Sequence, residues 1–327
     1  MLFPAFLKFL FGLTVITIGS EILLKGASKI ASLLRIRPMV IGLTVVSIGT
    51  SLPELAVGLT ALNDDMGDIA IGNIAGTNIV NILFILGLSV IIRPLPIVFK
   101  SIRVELFAMI IAAVLLFVLS LDRHLSLRDG IFLLIVGIAY IVLIIRSSKT
   151  ESKKLQKEYF EEYRPTPKSE RKQWQVWSFN GGLLFCGIIA TIYGADKLVD
   201  GAVGMARLYG MSEAVIGLTI IAIGTSAPEL ATTIVATIRN DRDVAIGNLL
   251  GSSITNVLFI LAATIILSPK GIDVPGQILW FDLTLAALVA IVCYPVFKSG
   301  QMISRKEGIF FVCTYLAYLT YLLFFRN

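Results

Sequence analysis

Apolar runs of membrane-crossing length alternate with short polar connectors along nearly the whole chain. About twenty consecutive apolar residues cross a bilayer core as a helix. Ten runs approach that length: Phe3–Leu24, Met39–Leu62, Ile69–Ile92, Val104–Leu121 and Leu127–Ile145, then Gly181–Val199, Ala214–Ile238, Val244–Leu267, Ile278–Phe297 and Gly308–Phe325. The pattern predicts an all-α membrane protein with ten transmembrane helices. Inside two of these runs polar residues recur at helical spacing. Thr44, Ser47, Ser51 and Glu54 share one face with Thr50 alongside, and Asn73, Thr77 and Asn81 recur every four residues.

The same pattern occurs a second time. Val40 to Ala56, containing Gly49-Thr50-Ser51-Leu52-Pro53-Glu54, matches Val215 to Ala231, containing Gly224-Thr225-Ser226-Ala227-Pro228-Glu229, at a constant offset of 175. The offset holds upstream, pairing Gly19, Glu21 and Gly26 with Gly194, Asp196 and Gly201, and downstream, pairing Gly72-Asn73 with Gly247-Asn248. Five spans, an odd number, separate equivalent points, so the second copy crosses the membrane in the opposite sense. The organisation read from this is a first five-helix half at 1–146 (motif 40–88), a linker at 147–176, and a second half at 177–327 (motif 215–263). Inverted halves of this kind are characteristic of secondary transporters, whose sites lie near the midplane where the halves meet.

Composition agrees with a membrane protein: 15% of the 327 residues are charged, against about a quarter in soluble domains, and the mean hydropathy is +0.87. The net charge of +6 does not read as a nucleic-acid surface, because its placement follows membrane orientation instead. With the linker in the cytoplasm, 21 Lys/Arg lie inside and 7 outside, which satisfies the positive-inside rule and puts both termini on the extracytoplasmic side. The expected location is the cell (inner) membrane. The first run has no basic leader or clear cleavage site and is read as the first span. The linker is read as partly helical around Lys153–Tyr163, with Pro165 and Pro167 ending the helix and Trp174 and Trp177 anchoring the next span. Cys186, Cys293 and Cys313 form no CxxC pair and read as packing residues. The single histidine, His124, lies in a connector, and no HExxH or GxSxG motif is present. An intramembrane enzyme is therefore disfavoured.

The repeated segments carry the chemistry. A charge at the bilayer centre costs about 2.5–3.5 kcal/mol even on a lenient scale, and each copy keeps a glutamate there. No Lys or Arg occurs in the apolar cores of the second, third, seventh or eighth spans to neutralise them. Pro53 lacks an N–H and its ring opposes the Gly49 carbonyl, so the helix should open there and expose carbonyls around Ser47 to Thr50. Such backbone survives at membrane depth only where it lines a cavity or is buried in protein. The second copy offers Thr219, Thr225, Ser226 and Glu229, with Ala222 in place of Ser47, followed by Asn248, Ser252 and Asn256. Gly72/Gly76 and Gly247/Gly251 are small-xxx-small spacings, read as helix-packing positions. Two carboxylates with hydroxyls, amides and carbonyls form an all-oxygen donor set, which suits Ca²⁺ better than Mg²⁺, Zn²⁺ or copper. Protons should compete with Ca²⁺ for such a pair, so transport should fall below neutral pH.

At these residues the chain resembles the sodium/calcium exchanger branch of the calcium/cation antiporter superfamily, of the small prokaryotic kind. The resemblance rests on the paired Gly-Thr-Ser-x-Pro-Glu segments at 49–54 and 224–229 and on the Gly-Asn segments beginning at Gly72 and Gly247. It implies Na⁺/Ca²⁺ exchange by alternating access, with Ca²⁺ expelled and the first and sixth spans sliding past the rest. By this resemblance Glu54 and Glu229 are the central Ca²⁺ ligands, assisted by Thr50 and Thr225. Ser51, Ser226, Thr77, Ser252, Asn81 and Asn256 help to form Na⁺ sites, and the carbonyls of Ser47 and Ala222 belong to the same shell. Some relatives carry an acid at one position matching Asn81 or Asn256; here both are amides. The linker also lacks the large Ca²⁺-sensing insert of animal plasma-membrane exchangers. No cofactor or obligate protein partner is implied beyond the two ions and the bilayer.

Two other readings stay open. Proton-coupled Ca²⁺ antiporters resemble one another in a Gly-Asn-x-x-Glu motif, where this chain has Gly72-Asn73-Ile74-Ala75-Gly76 and Gly247-Asn248-Leu249-Leu250-Gly251. Mn²⁺ or another divalent ion is a further substrate to consider. A cation channel would also use an oxygen-lined path, though it needs no inverted halves.

Overall fold

The computed structural model describes residues 2–34, 36, 38–63, 67–96, 99–150, 173–210, 222–298 and 302–325. Its helices are α1 (Leu2–Leu34), α2 (Pro38–Leu62), α3 (Gly67–Ile92), α4 (Phe99–Leu119) and α5 (Leu127–Thr150). The second half has α6 (Gln173–Leu208), α7 (Ala227–Ile238), α8 (Arg242–Leu267), α9 (Ile278–Lys298) and α10 (Arg305–Phe325). Among the described residues nine helices are long and apolar enough to cross a membrane, and α7, with 12 residues, is the short one. The expected seventh span began at Ala214; residues 211–221, Thr219 among them, lie outside the described residues, as does the expected linker helix.

Hydropathy misjudged the lengths of α1 and α6. They run for 33 and 36 residues, about 50 Å each, well beyond the expected Phe3–Leu24 and Gly181–Val199. Both helices continue past the apolar run into charged turns, where Lys25 meets Glu21 at 3.2 Å and Lys197 meets Asp196 at 2.7 Å. Lys8 also meets Asp200 across the two helices at 2.5 Å.

α1 and α6 lie against each other antiparallel, and glycines every seven residues set their spacing. A Cβ on Gly19 would lie 2.7 Å from the Thr191 amide nitrogen, and one on Gly194 would lie 2.4 Å from that of Ile16. Lipid tails are as apolar as leucine, so helices associate in a membrane through such close backbone approach rather than through hydrophobic burial.

The core sits around α3 and α8, the most buried helices, where Ile71, Ile79, Leu83, Leu250, Ile254 and Leu261 pack together. Gly247 and Gly251 bring α8 onto α2: added Cβ atoms would lie 2.7 Å from the Met39 carbonyl oxygen and 2.6 Å from the Leu43 Cα. An added Cβ on Gly72 would meet Ile278 Cδ1 at 3.4 Å, and one on Gly76 would meet no described residue within 4 Å. Asn78 Nδ2 donates to the carbonyl of Ser253, its own repeat equivalent 175 residues on, at 3.4 Å. The two halves therefore meet about a pseudo-two-fold axis near this pair. Two-residue strands tie the outer connectors together. β1 (Leu95–Pro96) pairs with β4 (Met302–Ile303), and β2 (His124–Leu125) pairs with β3 (Ile272–Asp273), both antiparallel. The His124 ring meets Asp273 at 2.7 Å, so the connector histidine closes the second ribbon.

Candidate ion-binding site

Both glutamates stand in the first turn of a helix that restarts inside the membrane. α2 breaks at Ser51 (φ −85°, ψ 7°), and the helix resumes at Leu52. α7 begins after Ser226 (φ −86°, ψ 7°), following the helical turn Ala222–Thr225. The dihedrals coincide because each copy places a proline two residues later; it cannot donate to the carbonyl four residues back, yet it fits the start of a new helix. A helix N-terminus carries partial positive charge, which favours the carboxylates of Glu54 and Glu229. The turns that end just before each break, at Thr50 and Thr225, present the C-terminal carbonyl ends that suit cations.

Ten of the twelve expected site residues are buried: Glu54, Glu229, Ser47, Thr50, Ser51, Ser226, Thr77, Ser252, Asn81 and Asn256. Thr225 is half-buried and lines a cavity of about 320 Å³ with Leu52, Pro53, Asp196, Val199 and Pro228. For Ala222 only the backbone, at the start of its helical turn, is described.

The structure joins part of this set across the repeats. Ser51 Oγ donates to Glu229 Oε1 at 3.3 Å. Thr50 Oγ1 lies 3.4 Å from both the Ser47 carbonyl oxygen and Asn248 Oδ1. Asn248 Nδ2 in turn donates to Thr233 Oγ1 at 3.1 Å and to the Glu229 carbonyl at 3.5 Å. The two carboxylates are near enough to act on each other electrostatically.

Other buried polar atoms have no hydrogen-bond partner among the described residues. Among the expected site residues they are both carboxylate oxygens of Glu54, Oε2 of Glu229, the hydroxyls of Ser226, Thr77 and Ser252, and the side-chain amides of Asn81 and Asn256. Buried polar groups are ordinarily satisfied, and a buried carboxylate without donors is expensive. A divalent cation taking six to eight oxygens would satisfy such a cluster. The donor chemistry therefore fits the ion expected from the sequence. Among the described residues no Lys or Arg is ion-paired with either glutamate.

Two expectations need correction. The Ser47 carbonyl is not released by the proline, since it accepts the Ser51 amide at 3.0 Å; the carbonyl deprived of its helical donor is that of Gly49. Thr44 turns its hydroxyl onto its own helix, donating to Val40 O at 2.7 Å, rather than joining the site. Thr14, Thr17 and Thr191 make the same bond in regular helix, and Thr44 itself lies in a π-helical segment, Gly42–Val46. Further π segments occur at Val80–Leu86 and Asn256–Leu261, so Asn81 and Asn256 both sit where the helix widens. Such π turns concentrate at functional sites.

Three polar residues escaped the sequence reading. Thr233 supports Asn248, Thr255 Oγ1 lies 3.3 Å from Ser47 Oγ, and Thr232 Oγ1 lies 3.5 Å from Ser20 Oγ. Thr233 follows Glu229 by one helical turn, which is the signal that could have found it.

The family profile described as "Sodium/calcium exchanger protein" matches residues 4–146 and 179–324. The sodium/calcium exchanger MaX1 of Methanosarcina acetivorans is 30% identical over 346 aligned positions, covering 98% of each chain. The inner membrane protein YrbG of Escherichia coli is 36% identical over 268, covering 80% of this chain and 79% of its own. A solved structure of the sodium/calcium exchanger from Methanococcus jannaschii superimposes with a TM-score of 0.79 at 30% identity, covering 98% of this chain and 99% of that one.

Proposed function

This chain belongs to the sodium/calcium exchanger family, and we propose that it is a secondary active antiporter that expels Ca²⁺ in exchange for Na⁺ by alternating access. The observation that carries the reading is a pair of fully buried glutamates, one from each repeat, of whose four carboxylate oxygens only Glu229 Oε1 has a hydrogen-bond donor among the described residues. Glu54 and Glu229 would bind Ca²⁺ as substrate, with Thr50, Thr225 and the carbonyls of Ser47 and Ala222 adding neutral oxygens. Ser51, Ser226, Thr77, Ser252, Asn81 and Asn256 would supply Na⁺ ligands around the same carboxylates. Asn81 and Asn256 make no hydrogen bond to either glutamate, so their share of the site rests on family resemblance and on their place in the widened turns.

Two buried charges also explain why transport would be an exchange. Closing the site around two uncompensated carboxylates costs several kcal/mol per charge, so the empty carrier does not cross its barrier. Two positive charges, as one Ca²⁺ or as Na⁺ ions, remove that penalty. Each ion must then be replaced by the other before access returns. The moving unit is proposed to be α1 with α6, which pack closely on each other.

The arrangement in the cell is proposed from charge placement: five-helix halves at 1–146 and 177–327, linker 147–176 in the cytoplasm, and both termini outside, in the cell (inner) membrane. The protein would act on ions without covalent chemistry or a resident cofactor. A proton-coupled reading draws on Glu54, whose two unsatisfied oxygens could take protons in place of Na⁺. Proteoliposomes loaded with Na⁺ and diluted into Na⁺-free buffer test both: Ca²⁺ uptake driven by the Na⁺ gradient is expected, with K⁺-loaded vesicles silent. Uptake driven by a pH gradient alone would replace this reading with the proton-coupled one.

A further inference from the structure

A groove of about 550 Å³ runs between α1, the end of α3 and α7, with Leu13, Thr17, Leu88, Ile92, Ala231 and Ile238 in its wall. Thr17 is its sole polar side chain, and that hydroxyl is spent on the Leu13 carbonyl at 2.7 Å. By the repeat offset, Ala227 and Ala231 in this groove correspond to Leu52 and Ala56 in the cavity beside Pro53. The two spaces adjoin, sharing Val199 and Gly224, but differ in chemistry. The cavity beside Pro53 has Asp196 and Thr225 in its wall; the groove offers no free polar side chain. A hydrated cation would lose its water there without compensation, whereas a hydrocarbon chain loses nothing.

One end of the groove is basic. Ile92 and Ile238 line it, and the residues that follow them are Arg93 and Arg239. Arg305 closes on the same end, its Nη2 donating to the Ile92 carbonyl at 3.5 Å. Arg239 pairs with Glu21, which also meets Lys25 at 3.2 Å. Arg93, Arg239, Arg305 and Lys25 thus stand at this rim with Glu21 and with Asp241, which accepts from Ser28 at 3.0 Å, and it is the rim proposed to face the cytoplasm. Basic pockets between spans on that side suit anionic headgroups.

We propose that the groove seats one acyl chain of an anionic phospholipid, with its phosphate held among Arg93, Arg239 and Arg305. The far end of the groove reaches Val199 and Gly224, which also line the cavity beside Pro53. A seated chain therefore packs against α1, α6 and α7 together, next to Thr225. Lipid occupancy would brace the α1–α6 pair against the helix that carries Glu229.

Native mass spectrometry of the full chain in detergent tests this without reference to ion transport. The protein is offered phosphatidylglycerol and phosphatidylcholine with identical acyl chains. Retention of phosphatidylglycerol several-fold above phosphatidylcholine is expected, and glycerol phosphate, the headgroup without chains, should not displace it. The exposed double variant Arg93→Gln/Arg305→Gln should bring the two lipids to parity. Leu88→Trp, which fills the groove, should lower retention of both. Equal retention by the wild type would overturn the proposal, as would a preference unchanged in the arginine variant or displacement by glycerol phosphate. Should Leu88→Trp fail to fold, the wild-type competition and the arginine variant still decide.

Discussion

The hydroxyl of Ser51 reaches Glu229 Oε1 at 3.3 Å, so a serine of the first repeat holds the carboxylate of the second. The reciprocal bond is absent: Ser226 Oγ and both oxygens of Glu54 have no partner among the described residues. A symmetric pair of sequences has folded into an asymmetric site. Removing a hydrogen bond to a charged group costs about 1.5–3 kcal/mol, or roughly ten- to a hundredfold in affinity. Ser51→Ala should therefore raise the half-saturating Ca²⁺ concentration by about tenfold or more, and Ser226→Ala by less than about threefold. Isotopic Ca²⁺ uptake across a concentration series measures both. Equal effects would mean that the asymmetry does not persist in the ion-bound protein.

Glu54→Gln and Glu229→Gln should each reduce Ca²⁺ exchange by about two orders of magnitude or more, since charge count largely sets the affinity of an oxygen site for Ca²⁺. Their effect on stability should have the opposite sign. Glu54 is buried with neither oxygen satisfied, so replacing its charge with an amide removes a desolvation penalty. In ion-free detergent Glu54→Gln should melt at or above the wild-type temperature, and added Ca²⁺ should stabilise the wild type alone. A glutamine variant that transports Ca²⁺ normally would remove these residues from the site.

Asn248 and Asn73 are repeat equivalents with different duties. Asn248 Nδ2 donates to Thr233 and to the Glu229 carbonyl, whereas Asn73 Nδ2 has no partner among the described residues. Asn248→Ala should therefore cost more: it frees Thr50, Thr233 and the turn that carries Glu229, a loss of about 1–3 kcal/mol for the buried groups left unpaired. Asn73→Ala should retain most of the transport rate. Thermal melting and uptake on the same preparations would separate the two, and equal losses would argue that Asn73 is a ligand in its own right.

Much of this was legible in the sequence because the repeat is written in residue identity. Glu54, Glu229, Ser51, Ser226 and the prolines that break their helices all appear twice, and the break at Ser51 follows from proline's missing N–H alone. What stayed hidden depends on packing. The π segments at Gly42–Val46, Val80–Leu86 and Asn256–Leu261 have no propensity signature, and the Thr44 hydroxyl is spent on the Val40 carbonyl, which sequence spacing does not reveal. Thr233 and Thr255 were invisible for another reason. Their repeat equivalents are Gly58 and Val80, and comparing two copies reveals only what both have kept. The lengths of α1 and α6 escaped hydropathy because both helices continue into turns that carry charge, which an apolar-run count ends at.

The α1–α6 contact is the remaining test, because the proposed motion requires these helices to travel together. An added side chain at Gly194 would begin 2.4 Å from the Ile16 amide nitrogen, where backbone cannot yield as a flexible side chain would. Gly194→Leu should push the helices apart at a cost of about 1–3 kcal/mol or more, as overpacking does elsewhere. Transport should fall even though Gly194 contributes no side chain to the site. Gly182 lies on the same helix with nothing within 4 Å of its added Cβ among the described residues, so Gly182→Ala should leave both stability and rate near wild type. A cysteine pair cross-linking α1 to α6 near Gly19 and Thr191 would sharpen the comparison. If the two helices move as one body, the cross-linked protein should still exchange Na⁺ for Ca²⁺; if they must slide past each other, it should stop.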